Sequence, residues 1–346
     1  MNSEHESFLK PFFNRMNESF LGQWCVLHSY ETLPYFSESD VDMAFSASNV
    51  FRLEQLIIDV GKQHGWSLYQ KLWYDVEKCF YYVLKNDSND RELAIDFLID
   101  NNGIGKYGFK TSLLTDQCSR FNEIIPIPNS SIAFSYKFIK RIVKKRALEQ
   151  DKTYLIEHFK KADYSVIKTI MLQQFGVAGL KIIDAQISGN NFNNISNQTM
   201  DDLMLLRKKQ FIKRNYWEAR RVLYRVFNPC GMIINIPQLP TQQLAEFIIL
   251  LDRKVGLLFR FVISNSSNKL SIDYKALFGS TLVIKTPKTL SSNKAIKHQW
   301  FGSHRYQEVN LKDSFDIEYL VKTYYEKILL VLKERSNSRG LISYEK

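Results

Sequence analysis

Apolar and polar positions alternate in two different rhythms along this chain, and the rhythm changes with position. Residues 6–21 carry the helical spacing of an amphipathic helix, 24–28 form a short apolar run of strand type, 40–45 another, and 50–64 return to helical spacing. Two further apolar runs of strand length follow at 78–84 and 93–99. Strands and helices mixed in this way predict an α/β or α+β core over residues 1–125. From 126 to 225 helical periodicity takes over. Ser130 and Ser131 are the expected caps of a helix through Phe134, Phe138 and Ile142, and a second helix opens at 199–202 and runs through Leu203, Leu206 and Phe211. Between them, 188–198 (SGNNFNNISNQ) reads as a loop. Residues 226–346 return to a mixed pattern: strands at 230–236, 259–264 and 340–344, helices at 241–255 and 315–334, and a polar middle. The expectation is therefore three segments, 1–125, 126–225 and 226–346, with no internal repeat.

Composition narrows the class. Of 346 residues, 45% are hydrophobic and 14% aromatic, enough to build packed cores and to exclude wholesale disorder. The four cysteines, Cys25, Cys79, Cys118 and Cys230, are scattered without CxxC or Cys/His pairing, which argues against a zinc site or a disulfide scaffold and for a reducing compartment. No uninterrupted apolar run approaches the roughly 20 residues of a spanning helix. The opening MNSEHESFLK has neither a basic nor an apolar region of signal type, so a cytoplasmic protein without a transmembrane segment is expected.

The formal charge of +11, from 47 Lys and Arg against 36 Asp and Glu, is unevenly spread. Acids dominate residues 1–60. Bases gather at Lys137, Lys140, Arg141, Lys144, Lys145 and Arg146, and again at Arg207, Lys208, Lys209, Lys213, Arg214, Arg220, Arg221 and Arg225. Such clusters either form solvated helix faces or attract phosphates. Nucleic acid is a possible partner but not the favoured one, since no RRM, KH or zinc-finger signature is present.

The residues most informative about chemistry are Leu27-His28-Ser29, followed ten residues later by Ser39-Asp40-Val41-Asp42-Met43. On a strand, side chains at i and i+2 share a face, so Asp40 and Asp42 become parallel carboxylates best stabilised by a divalent cation. Asp96 interrupts the otherwise apolar Leu93–Leu98 run, where a carboxylate is costly unless something compensates it. Three acids gathered around a metal suit in-line phosphoryl or nucleotidyl transfer.

The pattern Ser29…Asp40-Val41-Asp42…Asp96 resembles the DNA polymerase β-like nucleotidyltransferase superfamily. The resemblance implies a nucleotidyltransferase-fold mixed sheet, with Ser29 contacting the phosphates of a nucleoside triphosphate, Asp40 and Asp42 holding Mg²⁺, and Asp96 as the metal-side base. His28 stands where that superfamily has glycine, which implies a differently shaped phosphate contact. The order of segments is similar to two-part bacterial proteins of polysaccharide assembly, in which such a core precedes a thymidylate-kinase-like P-loop domain. The stretch Arg220-Arg221-Val222-Leu223 through Pro229-Cys230-Gly231-Met232-Ile233-Ile234 matches the lead-in strand of that domain. The loop that should follow, Asn235-Ile236-Pro237-Gln238-Leu239-Pro240-Thr241, has no glycine and no lysine, and its prolines lack N–H donors. The resemblance therefore implies a small degenerate α/β part, truncated before the kinases' Asp-Arg-Tyr stretch and inactive toward ATP.

Lys137, Lys140 and Arg141 are the expected binders of the triphosphate, with Lys71 and Lys78 as alternatives. His28 and His64 read as ordinary histidines, His298 and His304 as a weak metal pair, and Trp66, Tyr69, Trp73, Tyr74, Phe80, Tyr81 and Tyr82 as core rather than a stacking surface. Two functions follow. The first is Mg²⁺-dependent transfer of a nucleotidyl group from a nucleoside triphosphate to a small hydroxylated acceptor such as a sugar phosphate. The second is a decayed, non-catalytic relative that senses nucleotides, scaffolds or associates with nucleic acid.

Overall fold

The computed structural model describes residues 5–37, 39–46, 49–75, 79–89, 91–145, 151–188, 196–207, 211–227, 232–235, 239–255, 260–264, 281–285, 306–308 and 316–338. The fold is mixed α and β, as the alternating rhythms predict. Its residues group into two compact units: 1–60, 74–80 and 95–219 in the first, 61–73, 81–94 and 220–346 in the second. The helical stretch expected as a segment of its own therefore packs, up to residue 219, into the same unit as the N-terminal strands.

Helix α1 (Glu6–Phe20) buries Phe8, Leu9, Phe12, Phe13, Met16 and Phe20 along one face. Strands β1 (Trp24–Val26) and β2 (Val41–Phe45) follow, then α2 (Val50–Gln63), β3 (Trp66–Asp75), β4 (Cys79–Asn86) and β5 (Glu92–Leu98). They form one sheet in the order β1-β2-β5-β4-β3. β1 runs antiparallel to β2, and β2 runs parallel to β5. On one face of that sheet an aromatic cluster forms, with Phe13 stacked on Trp24 at 5.5 Å and Phe45 edge-on to Phe97 at 6.2 Å. Burial of such rings is the main stabilising contribution available to this part of the chain.

After a short helix α3 (Thr111–Thr115) and the two-stranded β6 (Ser119–Phe121) and β7 (Ile125–Ile127), four helices complete the first unit's core: α4 (Ser130–Lys144), α5 (Lys152–Lys161), α6 (Tyr164–Ser188) and α7 (Asn197–Leu206). Asn129 caps α4, its side chain accepting from the amide of Ile132 at 3.1 Å. The expected caps are thus one and two residues late, and Ser131 instead accepts from the Asp163 amide at 2.8 Å. Ser196 caps α7 through the Thr199 amide at 3.1 Å, so that helix also starts earlier than expected. Of the expected loop at 188–198, Ser188 and residues 197–198 are helical, and 189–195 lie outside the described residues.

Contrary to the hydropathy expectation, the stretch Tyr164–Ala185 is long and apolar enough to cross a membrane. Two observations bear on it. Ile167, Ile170, Met171, Phe175 and Ile183 pack into the first unit's core. The helix also breaks at Gly176, with φ 70° and ψ −175°, which leaves halves of about 18 Å against a hydrocarbon layer of about 30 Å.

Helix α8 (Phe211–Phe227) carries the second basic cluster. The second unit contains a four-stranded parallel sheet of β8 (Met232–Asn235), β9 (Arg260–Ser264), β10 (Thr281–Lys285) and β11 (Tyr306–Glu308), in the order β11-β8-β10-β9. Helices α9 (Thr241–Val255) and α10 (Ile317–Ser338) pack Phe247, Leu251 and Val255 with Leu320, Tyr324 and Ile328, and Phe247 meets Tyr324 edge-on at 5.6 Å. The strand β10 lies inside the stretch expected to be a polar middle. The strand expected at 340–344, the pair His298 and His304, and the proline-containing turn at 236–238 lie outside the described residues.

Candidate active site

β2 and β5 are register partners in parallel, with Val41 opposite Ile95 and Asp42 opposite Asp96. Partners in a parallel ladder project from the same face, so these two carboxylates leave the sheet side by side. Asp40 stands one residue before β2 rather than within it, as was expected from alternation, yet it joins the pair. One oxygen from each of Asp40, Asp42 and Asp96 lies within 4.8 Å of the others. The three acids picked from the sequence therefore converge.

Asp42 is the most heavily partnered. Nε2 of His28 lies 2.8 Å from its Oδ2, and Nζ of Lys140 lies 3.4 Å from both of its oxygens. Lys140 Nζ also comes within 2.9 Å of His28 Nε2. With its hydrogen on Nε2, His28 donates to Asp42 and leaves Nδ1 to accept from the Ser29 hydroxyl at 3.2 Å. Nε2 then offers Lys140 no lone pair, so the ammonium and the ring N–H meet as two donors aimed at the same carboxylate. Burial alone would push the Asp42 carboxyl up, but the neighbouring His28 and Lys140 outweigh it and hold it far below the usual carboxylate range. Burial lowers the His28 imidazole despite Asp42 beside it.

Asp96 behaves in the opposite way. Burial, then the charge of Asp42, pushes its carboxyl well above the ordinary value, against a hydrogen bond from Tyr74. Its Oδ1 is buried without a hydrogen-bond partner among the described residues. Asp40 is raised for the same two reasons. Three carboxylates, one of them with an orphaned oxygen, form an oxygen donor set suited to a hard divalent cation.

Helix α4 faces the trio with Lys137, Lys140, Arg141 and Lys144, spaced i, i+3, i+4 and i+7 and so on one side of the helix. All four line a cavity of about 210 Å³ together with His28, the three aspartates, Tyr74, Tyr107 and Tyr136. Lys137 and Arg141 both pair with Asp151, Lys137 at 3.3 Å. Burial and the adjacent Lys140 and Arg141 bring the Lys137 ammonium down to about 8. A larger cavity of about 980 Å³ in the same unit is lined by Asn17, Ser46, Lys110, Arg120 and Gln174 among others. It contains none of the three aspartates and none of the α4 cations, so it lacks the chemistry of the smaller one.

Ser29 is exposed and takes a positive φ of 57°. The left-handed residue of this loop is thus Ser29 and not His28, the position read from the sequence as the departure from glycine. His28 itself, read as an ordinary histidine, is a member of the site, and so is Tyr74 from the aromatic stretch. Trp66, Trp73, Phe80 and Tyr82 from that stretch are buried as expected of core residues. His64 is exposed, Lys71 is not among the residues lining the cavity, and Lys78 lies outside the described residues. The signal for Lys144 was present in the i, i+7 spacing; none in the sequence pointed to Tyr107 or Tyr136.

No protein-family model matches the chain, and no curated protein matches it.

Proposed function

We propose that the chain is a nucleotidyltransferase that uses Mg²⁺ to move a nucleotidyl group from a nucleoside triphosphate to a small hydroxylated acceptor. The observation carrying this reading is the convergence of Asp40, Asp42 and Asp96 in the same cavity as the α4 cations. Asp40, Asp42 and Asp96 would hold the metal, which when bound supplies Lewis-acid stabilisation of phosphate charge. The remaining work falls to the chain's own residues. Lys137, Lys140, Arg141 and Lys144 supply positive charge for a polyanion. Ser29, expected to contact the phosphates, is not among the residues lining the cavity; its hydroxyl hydrogen goes to His28 Nδ1, so its part is to orient the imidazole beside Asp42. A cavity of about 210 Å³ is small beside the roughly 300–1,000 Å³ of complete ligand pockets, so it suits the phosphates and metal while ribose and base lie outside it. The resemblance to polysaccharide-assembly proteins makes a sugar phosphate the preferred acceptor and leaves the parallel-sheet part without ATPase chemistry.

Calorimetry with each nucleoside triphosphate and Mg²⁺, on the native chain and on Asp42→Ala, tests the reading. Binding by the native chain that is lost in the variant is the expected result; equal absence of binding in both overturns it.

A second reading is favoured by Lys140, which already balances the charge of Asp42 without any metal. In that reading the chain binds nucleotides without turning them over. Turnover of a nucleoside triphosphate that disappears in Asp42→Asn separates the two, since only the first reading predicts it.

A further inference from the structure

We propose that Lys140 is a built-in competitor for the divalent cation, so that the site accepts metal only together with a polyanion that draws the ammonium away. The inference rests on the reading that the aspartate trio is a metal site, and concerns how that site is filled.

Lys140 Nζ lies 3.4 Å from each oxygen of Asp42 and 2.9 Å from His28 Nε2, and the residue is only 8% exposed. It stands 5.7 Å above the Tyr136 ring and 6.0 Å above that of Tyr107. The ammonium therefore sits where carboxylate charge and two ring faces favour a cation, against the same carboxylate a divalent ion would need. A +1 and a +2 charge both held against Asp42 repel strongly in a partly desolvated site. Bare metal must displace Lys140 from its counter-ion and drive the ammonium towards the α4 cations Lys137, Arg141 and Lys144, which line the same cavity and where the carboxylate of Asp151 is already shared by Lys137 and Arg141. A triphosphate changes that balance. It brings its own negative charge to the α4 face, and the flexible lysine stem allows Nζ to move from Asp42 to a phosphate oxygen while the metal takes Asp42. Occupancy by metal and by nucleotide is thereby coupled through one side chain, and the coupling is reciprocal.

The test measures Mn²⁺ binding directly by electron paramagnetic resonance, with and without a non-hydrolysable nucleoside triphosphate. It uses the native chain, Lys140→Met, Lys140→Arg and Asp42→Asn, with circular dichroism verifying that each is folded. Lys140→Met is expected to bind Mn²⁺ alone about tenfold or more tightly than the native chain. Nucleotide should tighten Mn²⁺ binding in the native chain and in Lys140→Arg, which keeps the charge, and should do so much less in Lys140→Met. Equal affinity of the native chain and Lys140→Met for Mn²⁺ alone overturns the inference while leaving the metal site standing. Failure of every protein to bind Mn²⁺, with or without nucleotide, overturns the metal reading and this inference together. Should Lys140→Met not fold, Lys140→Gln takes its place with the same expected gain.

Discussion

Asp42 and Asp96 are register partners on adjacent parallel strands, and the charge of the first raises the carboxyl of the second. Replacing Asp42 by Asn removes that repulsion. The Asp96 carboxyl is therefore expected to titrate at lower pH in Asp42→Asn than in the native chain, as followed by carbon-detected NMR of the side-chain carboxyl. An unchanged Asp96 titration would mean that the two groups are not coupled through space.

The same shift has a consequence for stability. A carboxyl raised in the folded state contributes stability that is fully present below its unfolded value of about 3.9 and is lost as pH rises through the folded value. Asn is uncharged throughout. Asp96→Asn is therefore expected to gain stability relative to the native chain on going from pH 4 to pH 8, whatever the constant cost of altering the Tyr74 contact. Urea unfolding at the two pH values measures the difference, and a gain in the opposite direction refutes it.

For catalysis, Asp42→Asn is expected to lower kcat by about a hundredfold or more, the order associated with losing one group that stabilises charge in a transition state. Lys144→Ala is expected to act mainly on KM for the triphosphate, because Lys144 lines the cavity farther along the α4 stripe and is not the residue seated on Asp42. Steady-state kinetics with the nucleotide found by calorimetry distinguishes the two effects.

Gly176 interrupts α6 with φ 70° and ψ −175°, a conformation nearly closed to residues with a side chain, although nothing lies within 4 Å of where a Cβ would stand. Gly176→Ala should thus destabilise through backbone strain alone, by about 1–3 kcal/mol in urea titrations. A neutral or stabilising result would show that α6 can straighten.

Cys25 and Cys118 both direct their sulfur to the carbonyl of Leu114, at 3.3 and 3.5 Å. Cys25 is fully buried, and burial pushes its thiol well up; Cys118 borders the larger cavity. In the native protein an alkylating reagent should modify Cys118 and spare Cys25, which reacts only on unfolding. Peptide mass mapping after brief and denaturing treatments reads the order directly.

Much of this arrangement was legible from residues alone, for reasons that differ between elements. β2 and β5 announced themselves as apolar runs broken by an acid, and an acid in such a run has few structural explanations. Their register was not legible. The pairing of Asp42 with Asp96 depends on contact between segments more than fifty residues apart, which no local rhythm encodes. Asn129, Ser130 and Ser131 offered three successive capping side chains, so the start of α4 was ambiguous by the width of that cluster. β10 was missed because a five-residue strand, Thr281–Lys285, gives too short a pattern to stand out from polar surroundings. The grouping of 61–73 and 81–94 with residues beyond 219 was likewise invisible, because compact units here are not contiguous in sequence.

The left-handed backbone of Ser29 bears on how this loop tolerates change. A side-chain-bearing residue there costs about 1–2 kcal/mol, whereas His28 imposes no such burden on its own position. A glycine at 28 would therefore relax nothing and would strip away the imidazole, while a glycine at 29 would ease the turn and delete the hydroxyl. Variation at these two neighbours is constrained for opposite reasons, one by chain geometry and the other by the company its ring keeps.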